Sequence, residues 1–392
     1  MEQTQRLAFA DVLRGLASVT VVIGHFIVLS LTAPDHVAAV TAGAPGEKVP
    51  FPAWLDQAIV IANPPATGVA VFFLISGFVI PMSLANSTVR AFLLKRFFRI
   101  YPPLWVALAL TAAAIFISGT YWSRPSPYSP ADYIANVFLA ADLVTRFDVL
   151  TVAWTLQIEI KFYLLAVFVF MVIARRRIWP LLLFASAVTA TYLVVAKGCG
   201  SAAVMCWEQR GVTTRFLFWE AMFISYMLIG SIIYAHYSKR IGTAAAILGC
   251  ALLFGLFQID LTRSPLPFLN PSYHLPYLWG LIIFVGCYLA RAKIRLVQPF
   301  GFLADVSYPL YLVHPIVGYV TIRLLMAQGL SFWPAFVVAM VFVLALAWVI
   351  HVYVEAPSIA LSKRIAARWA PSRRAVVAPR TADGVTVVAA RK

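Results

Sequence analysis

Apolar runs recur along the 392-residue chain, and a helix of about 17–25 such residues crosses a hydrocarbon layer about 30 Å thick. Ten runs stand out, near 9–31, 66–84, 102–119, 152–173, 178–196, 217–235, 241–258, 275–290, 305–325 and 332–353. The pattern predicts an all-α, polytopic integral membrane protein of about ten transmembrane helices. The first run is long and no small-residue cleavage pattern ends it, so it reads as an uncleaved anchor. Two connecting stretches carry many turn-forming residues: 32–65, with Pro34, Pro45, Pro50, Pro52, Pro64 and Pro65, and "SRPSPYSPADY" at 123–133. Both are expected as extended loops, the second lining an external mouth. No hydrophilic stretch exceeds about 40 residues, too short for a further domain of ordinary size. One transmembrane domain, 1–358, is therefore expected, followed by a basic, disordered tail, 359–392. No internal repeat is visible, which weakens a reading as a transporter of two related halves.

Composition sharpens this picture. Hydrophobic residues make up 62% and charged residues 12%, against about 45–50% and 25% in soluble domains. The net charge of +16 could suggest nucleic acid, but its placement argues otherwise. With both termini in the cytoplasm, Arg6, Arg14, Arg90, Lys95, Arg96, Arg99, Arg175–Arg177, Lys239, Arg240, Arg291, Lys293, Arg295 and the tail from Lys363 fall on one side. These are 22 of the 31 Lys and Arg residues, and every inner loop is basic, as the positive-inside rule requires. The charge is thus a topology signal, with membrane lipids and not nucleic acid as its counterpart, the tail lying against anionic head groups. Four cysteines include no C-x-x-C pair, so no metal site is expected. Cys199 and Cys206 share a loop in which an oxidising compartment permits a disulfide.

Titratable side chains inside spans are costly and mark function by default. In "LRGLASVTVVIGHF", 13–26, Arg14 and His25 are eleven residues apart, three helical turns plus roughly 20°. They share one helix face about 16 Å apart along the axis, and Asp11 and Ser18 lie on the same face. The plainer reading is that Arg14 snorkels and His25 bonds a neighbouring carbonyl. The whole stripe favours function. In "KRFFRIYPPLW", 95–105, Arg96 and Arg99 are helical neighbours. Their guanidinium forks suit phosphate, or simply anchor the helix. In "VAWTLQIEIKFYLL", 152–165, Glu159 must find a partner on another helix, because Lys161 two residues on faces elsewhere. "VSYPLYLVHP", 306–315, brings Tyr308, Tyr311 and His314 into the ninth span, and Glu355 closes the tenth.

In this order the motifs resemble those of the membrane-bound acyltransferase family 3, which includes bacterial O-antigen and exopolysaccharide acetylases. The resemblance covers about 6 to 358. It rests on Arg14 with His25, "FFLISGF" at 72–78, Arg96 with Arg99, "WTLQIEIKFYL" from Trp154, "SYPLYLVHP" from Ser307 and "VEAP" at 354–357. Many members append an extracellular esterase-like domain that this chain does not show. The resemblance implies a multi-pass protein of the bacterial inner membrane with no permanently bound cofactor. It implies that acetyl-CoA, or another acyl-CoA, is the donor substrate and that a glycan or lipid-linked glycan is the acceptor. Arg14, Arg96 and Arg99 would hold the donor, and Trp154, Tyr308 and Tyr311 would line the acceptor side. His25 would act as general base, Glu159 would orient it, and His314 competes for the base role. Direct transfer and an acyl-histidine route both stay open. A transporter or flippase would also explain buried His, Glu and Arg, but would leave no acylated product.

Overall fold

The computed structural model describes residues 7–45, 61–144, 146–199, 212–263 and 273–369. Among them there are helices and no strands. Each of the ten expected spans coincides with a helix: α1 (Ala8–Thr32), α3 (Pro64–Ala85), α4 (Val89–Trp122), α6 (Trp154–Ala174), α7 (Trp179–Cys199), α8 (Val212–Tyr237), α9 (Thr243–Arg263), α10 (His274–Leu289), α11 (Phe300–Ala327) and α12 (Phe332–Ile350). Three shorter helices complete the set: α2 (Pro34–Val40), α5 (Pro130–Val137) and α13 (Ala356–Arg368). Eight helices among the described residues are long and apolar enough to span a membrane, and the chain is a polytopic membrane protein. Short turns join α3 to α4, α6 to α7 and α8 to α9, so their basic residues gather at one end of the bundle, here termed the basic face. The opposite end is the far face. Cys206 lies outside the described residues, so the expected disulfide does too.

At the centre α1 packs between α3 and α11, and α8 and α10 pack onto α3. Close approach depends on small residues. A Cβ on Gly77 of α3 would lie 1.9 Å from the Met227 carbonyl of α8, and one on Gly230 would lie 2.3 Å from the Leu74 carbonyl. With neither present, the two backbones touch, and Ser231 Oγ donates to the Gly77 carbonyl at 2.8 Å. Such small-residue seams are how helices associate where lipid supplies no hydrophobic drive.

The third span is longer than the sequence suggests. Pro102 and Pro103 are expected at its start, yet α4 runs through them from Val89. Proline lacks the N–H that would bond the carbonyl four residues back. The carbonyl orphaned by Pro102 is that of Phe98, and Ser358 Oγ of α13 donates to it at 2.7 Å. Tyr308 OH of α11 donates to the neighbouring Ile100 carbonyl at 2.8 Å. Ser358 thereby supplies the hydrogen bond that Pro102 cannot.

The stretch 123–133 is not the extended loop expected. Ser129 and Asp132 form a capping box at the start of α5, and α5 descends along α4. Trp105 Nε1 donates to the Val137 carbonyl at 3.1 Å and Tyr101 OH to Phe138 at 3.4 Å. These two α4 residues lie about 25–32 Å along the helix from Trp122, so the segment re-enters the bilayer. Irregular backbone at that depth must be satisfied internally. Asn136 donates to the Phe147 carbonyl at 2.7 Å and accepts from Val149 N at 3.2 Å. Asp132 accepts from Phe147 N at 3.3 Å, and Asp148 accepts from Leu150 N at 3.1 Å and Trp154 N at 3.0 Å. Ile134, Phe138 and Phe147 then point outward, 61%, 65% and 68% exposed, toward lipid. The segment is tied down by Lys161, which bonds Asp142 and pairs with Glu220 of α8 at 2.7 Å.

Removing Asn136's side chain leaves a carbonyl and an N–H unpaired, at about 1–3 kcal/mol each. Asn136→Ala is expected to lower the thermal midpoint in detergent by several degrees, whereas the exposed Ser126→Ala leaves it within error. Gly77→Ala is expected to lower it further, because its clash is with backbone and no rotamer relieves it. Equal midpoints for Asn136→Ala and Ser126→Ala would mean the re-entrant segment is not held as described.

Candidate functional site

Two polar centres lie along α1. Near the basic face, Arg14, Arg96 and Arg99 converge with Glu159 on a cavity of about 90 Å³ between α1, α3, α4, α6 and α11. Arg14 pairs with Asp11 at 3.2 Å. Arg96 sits over the rings of Phe92 and Tyr163, 5.2 Å from each centroid, a stacking that fixes its fork. Glu159 accepts from Ser76 Oγ at 3.0 Å and from Tyr163 OH at 2.7 Å. Three guanidiniums face two carboxylates here, so the cavity carries a surplus positive charge and suits an anion. It is narrow, with Ile75, Val79 and Phe72 on its apolar side, and admits a thin chain more readily than a bulky ring system.

The second centre is His25. Its Nδ1 lies 2.7 Å from Nε2 of His314, the rings nearly parallel at 11°. His314 Nδ1 lies 3.0 Å from the Leu310 carbonyl. A carbonyl only accepts, so His314 carries its proton on Nδ1. In the neutral ring its Nε2 is then an acceptor, and His25 must donate from Nδ1. That leaves His25 Nε2 with a free lone pair. A chain of two hydrogen bonds fixes the tautomer of the residue best suited to take a proton.

Local structure explains why His25 can reach across. From His25 to Leu29 the helix widens into a π turn, a feature that recurs at functional sites. Gly24 just before it lies against Pro65, and a Cβ there would sit 2.3 Å from the proline ring. Gly318 of α11 makes room for Phe26, whose ring would lie 2.1 Å from a Cβ at that position. His314 is fully buried.

Glu159 does not meet His25. Its partners are Ser76 and Tyr163, and the group that orients His25 is the other expected base, His314. The two histidines are hydrogen-bonded to each other. Of the three aromatic residues expected at the acceptor, Tyr308 and Tyr311 line the arginine cavity. Tyr308 is committed to the Ile100 carbonyl. Tyr311 OH lies 2.8 Å from Thr155 Oγ1 and 3.2 Å from the Val152 carbonyl, the last turn of the re-entrant segment. Its ring is 5.9 Å from that of His314, making Tyr311 the wall between the two centres. Trp154 lies apart from the cavity lining, stacked on Trp219 at 5.1 Å and edge-on to Phe73. Ser18, expected on the polar stripe, turns back to the Gly15 carbonyl at 2.8 Å.

Sequence reasoning missed Ser76, Tyr163 and Thr155. The spacing of Glu159 and Tyr163, four apart on one helix, was the signal available for Tyr163. Ser76 and Thr155 carry no such signal, because their partners lie on other helices.

Comparison with known proteins agrees with this architecture. Nodulation protein 10 of Rhizobium leguminosarum bv. viciae is 32% identical over 122 residues, covering 25% of this chain and 31% of the relative. The chain therefore matches less than a third of that relative's length. No solved structure matches. The family described as acyltransferase domain matches residues 7–352, a stretch that includes both polar centres and all ten helices of the expected spans, and on that match the chain belongs to the membrane-bound acyltransferase family 3.

Proposed function

We propose that this membrane acyltransferase moves an acyl group, acetyl in the first instance, from coenzyme A to a sugar hydroxyl of a cell-envelope or exported glycan. The observation that carries the reading is the His25–His314 pair, one aromatic wall away from an arginine-lined anion cavity. The basic face lies in the cytoplasm of a bacterial inner membrane, as its Lys and Arg content favours, and both ends of the chain lie on that side. Coenzyme A then binds through its phosphates at Arg14, Arg96 and Arg99. Its thin acyl-bearing arm points along α1 toward His25. Glu159 belongs to this donor end, where it holds Ser76 and Tyr163 in place and keeps the guanidiniums apart.

At the reactive end, His25 Nε2 takes the proton of the acceptor hydroxyl as its oxygen attacks the thioester carbonyl. The tetrahedral species collapses, the carbon–sulfur bond breaks, and the thiolate takes the proton back from Nε2. The products are an ester and the coenzyme A thiol, with no net proton change. His314 Nε2, accepting from His25 Nδ1–H, stabilises the imidazolium while it exists, the part a carboxylate plays in a serine-hydrolase triad. A neutral imidazole suits this site, because a carboxylate at that depth would itself need a counter-charge.

Four variants test the reading. Arg99→Ala is expected to weaken acetyl-CoA binding by about tenfold to a hundredfold, the usual effect of losing a charge-assisted phosphate contact, measured calorimetrically on purified protein. Arg99→Lys is expected to recover only part, since an ammonium cannot fork. His25→Ala is expected to abolish transfer while binding donor normally. His314→Ala is expected to lower kcat about 10²–10³-fold with little change in the KM for donor, because it frees the His25 tautomer without touching the donor. Full transfer by a folded His25→Ala protein would overturn the mechanism. Mass spectrometry of envelope glycans from deletion and complemented strains identifies the acceptor, and an unaltered acylation pattern would sink the glycan assignment.

Orientation has its own test. Reporter fusions after Arg177 and Arg240 are expected to report cytoplasm, and fusions near Gly46 and Ser201 the opposite compartment. A reversed signal after Arg177 would place the donor cavity on the wrong side for a cytoplasmic thioester.

A further inference from the structure

Away from both polar centres, a groove of about 730 Å³ lies between α4 and α5. One wall is a single face of α4, with Ala112, Ile115, Phe116, Gly119 and Thr120 at three- and four-residue spacing. The other is Tyr133 and Ile134 of α5. The wall on α5 is rigid, because the capping box and Asn136 fix that helix from both ends. Gly119 lets the following turn fold back to close the top: the Arg124 carbonyl would sit 2.6 Å from a Cβ there.

The groove is polarised along its length. Its upper end holds Arg124 and Ser123, next to Tyr121 and Trp122, aromatic residues of the kind that mark the head-group level. Its lower end is apolar, and there Phe116 and Ile134 stand 74% and 61% exposed on its rims. From Ser123 to Ala112 is eleven residues, about 16 Å of helix, or roughly one leaflet of a hydrocarbon layer about 30 Å thick. Among the described residues Arg124 makes no ion pair. Asp35 shares only the neighbouring hollow with it.

We propose that this groove is a binding site for an anionic glycerophospholipid of the far-face leaflet, its phosphate at Arg124 and one acyl chain between Phe116 and Ile134. The length matches one chain, the apolar end matches its methylenes, and the cation at head-group depth matches the phosphate. A groove fitted to the general lipid annulus would have no reason to place an unpaired guanidinium at its head end. The site is independent of the donor cavity and of the histidine pair, so its occupancy is read without any assay of transfer.

Native mass spectrometry of the full-length protein, purified in detergent and given equal phosphatidylglycerol and phosphatidylcholine, tests the assignment. Wild type is expected to retain phosphatidylglycerol about fivefold over phosphatidylcholine, the scale of one basic residue near an anionic head group. Arg124→Ala is expected to lose that preference and Arg124→Lys to keep most of it. Ile134→Trp fills the lower end and is expected to retain one lipid fewer than wild type. Should that variant unfold, Ala112→Leu narrows the same end from α4 and carries the same expectation, with an unchanged thermal midpoint as the check on folding. Equal retention of the two lipids by wild type, an undiminished preference in Arg124→Ala, or an unchanged lipid count in a folded groove-filling variant would each overturn the proposal.

Discussion

A polar group inside a bilayer has no water to fall back on, and each one left unpaired costs several kcal/mol. That requirement accounts for two unusual parts of this protein. It explains why a proline-broken helix borrows Ser358 from its neighbour. It also explains why a re-entrant segment that turns Phe138 and Phe147 toward lipid nevertheless contains Asp132, Asn136 and Asp148. These polar residues line no substrate cavity. They replace the water that the segment's backbone gave up.

The same requirement makes the histidine pair directional. Because the Leu310 carbonyl can only accept, the hydrogen bonds must run from His25 to His314 to Leu310. A lone histidine has no partner to select between its two neutral tautomers. Coupling it to a second imidazole, itself coupled to a fixed carbonyl, removes that freedom before any substrate arrives. Such preorganisation is the kind that general-base catalysis gains from.

Separation matters as much as contact. The arginine cavity and the histidine pair are held about three helical turns apart on α1, with Tyr311 between them. The positive charge of the cavity is thereby kept away from the imidazole pair, where a nearby cation would oppose protonation and a nearby carboxylate would favour it. Glu159, placed among the arginines and bonded to Ser76 and Tyr163, balances charge in the arginine cavity without reaching His25. Tyr311 in turn is bonded where the re-entrant segment ends, at Val152 and Thr155, so the wall between the centres is tied to the network that holds that segment in the membrane.

Read alone, the sequence determined that the chain is a polytopic helical membrane protein, roughly where its ten main apolar helices lie, and that Arg14 and His25 share a face. Each of these follows from period and length, which are local properties of a helix in lipid. The arginine pair at 96 and 99 was legible for the same reason. Tertiary structure alone decided the partners. Whether Glu159 or His314 would stand beside His25 depends on how α1, α6 and α11 are rotated against one another, and sequence spacing within one helix holds no information on that. The descent of 123–153 into the bilayer was hidden for a related reason. Its prolines and polar residues are those of an ordinary surface loop, and only contacts with α4 and α6, supplied by Trp105 at 3.1 Å from the Val137 carbonyl and by Lys161 through Asp142, turn the same residues into the internal partners of a buried segment.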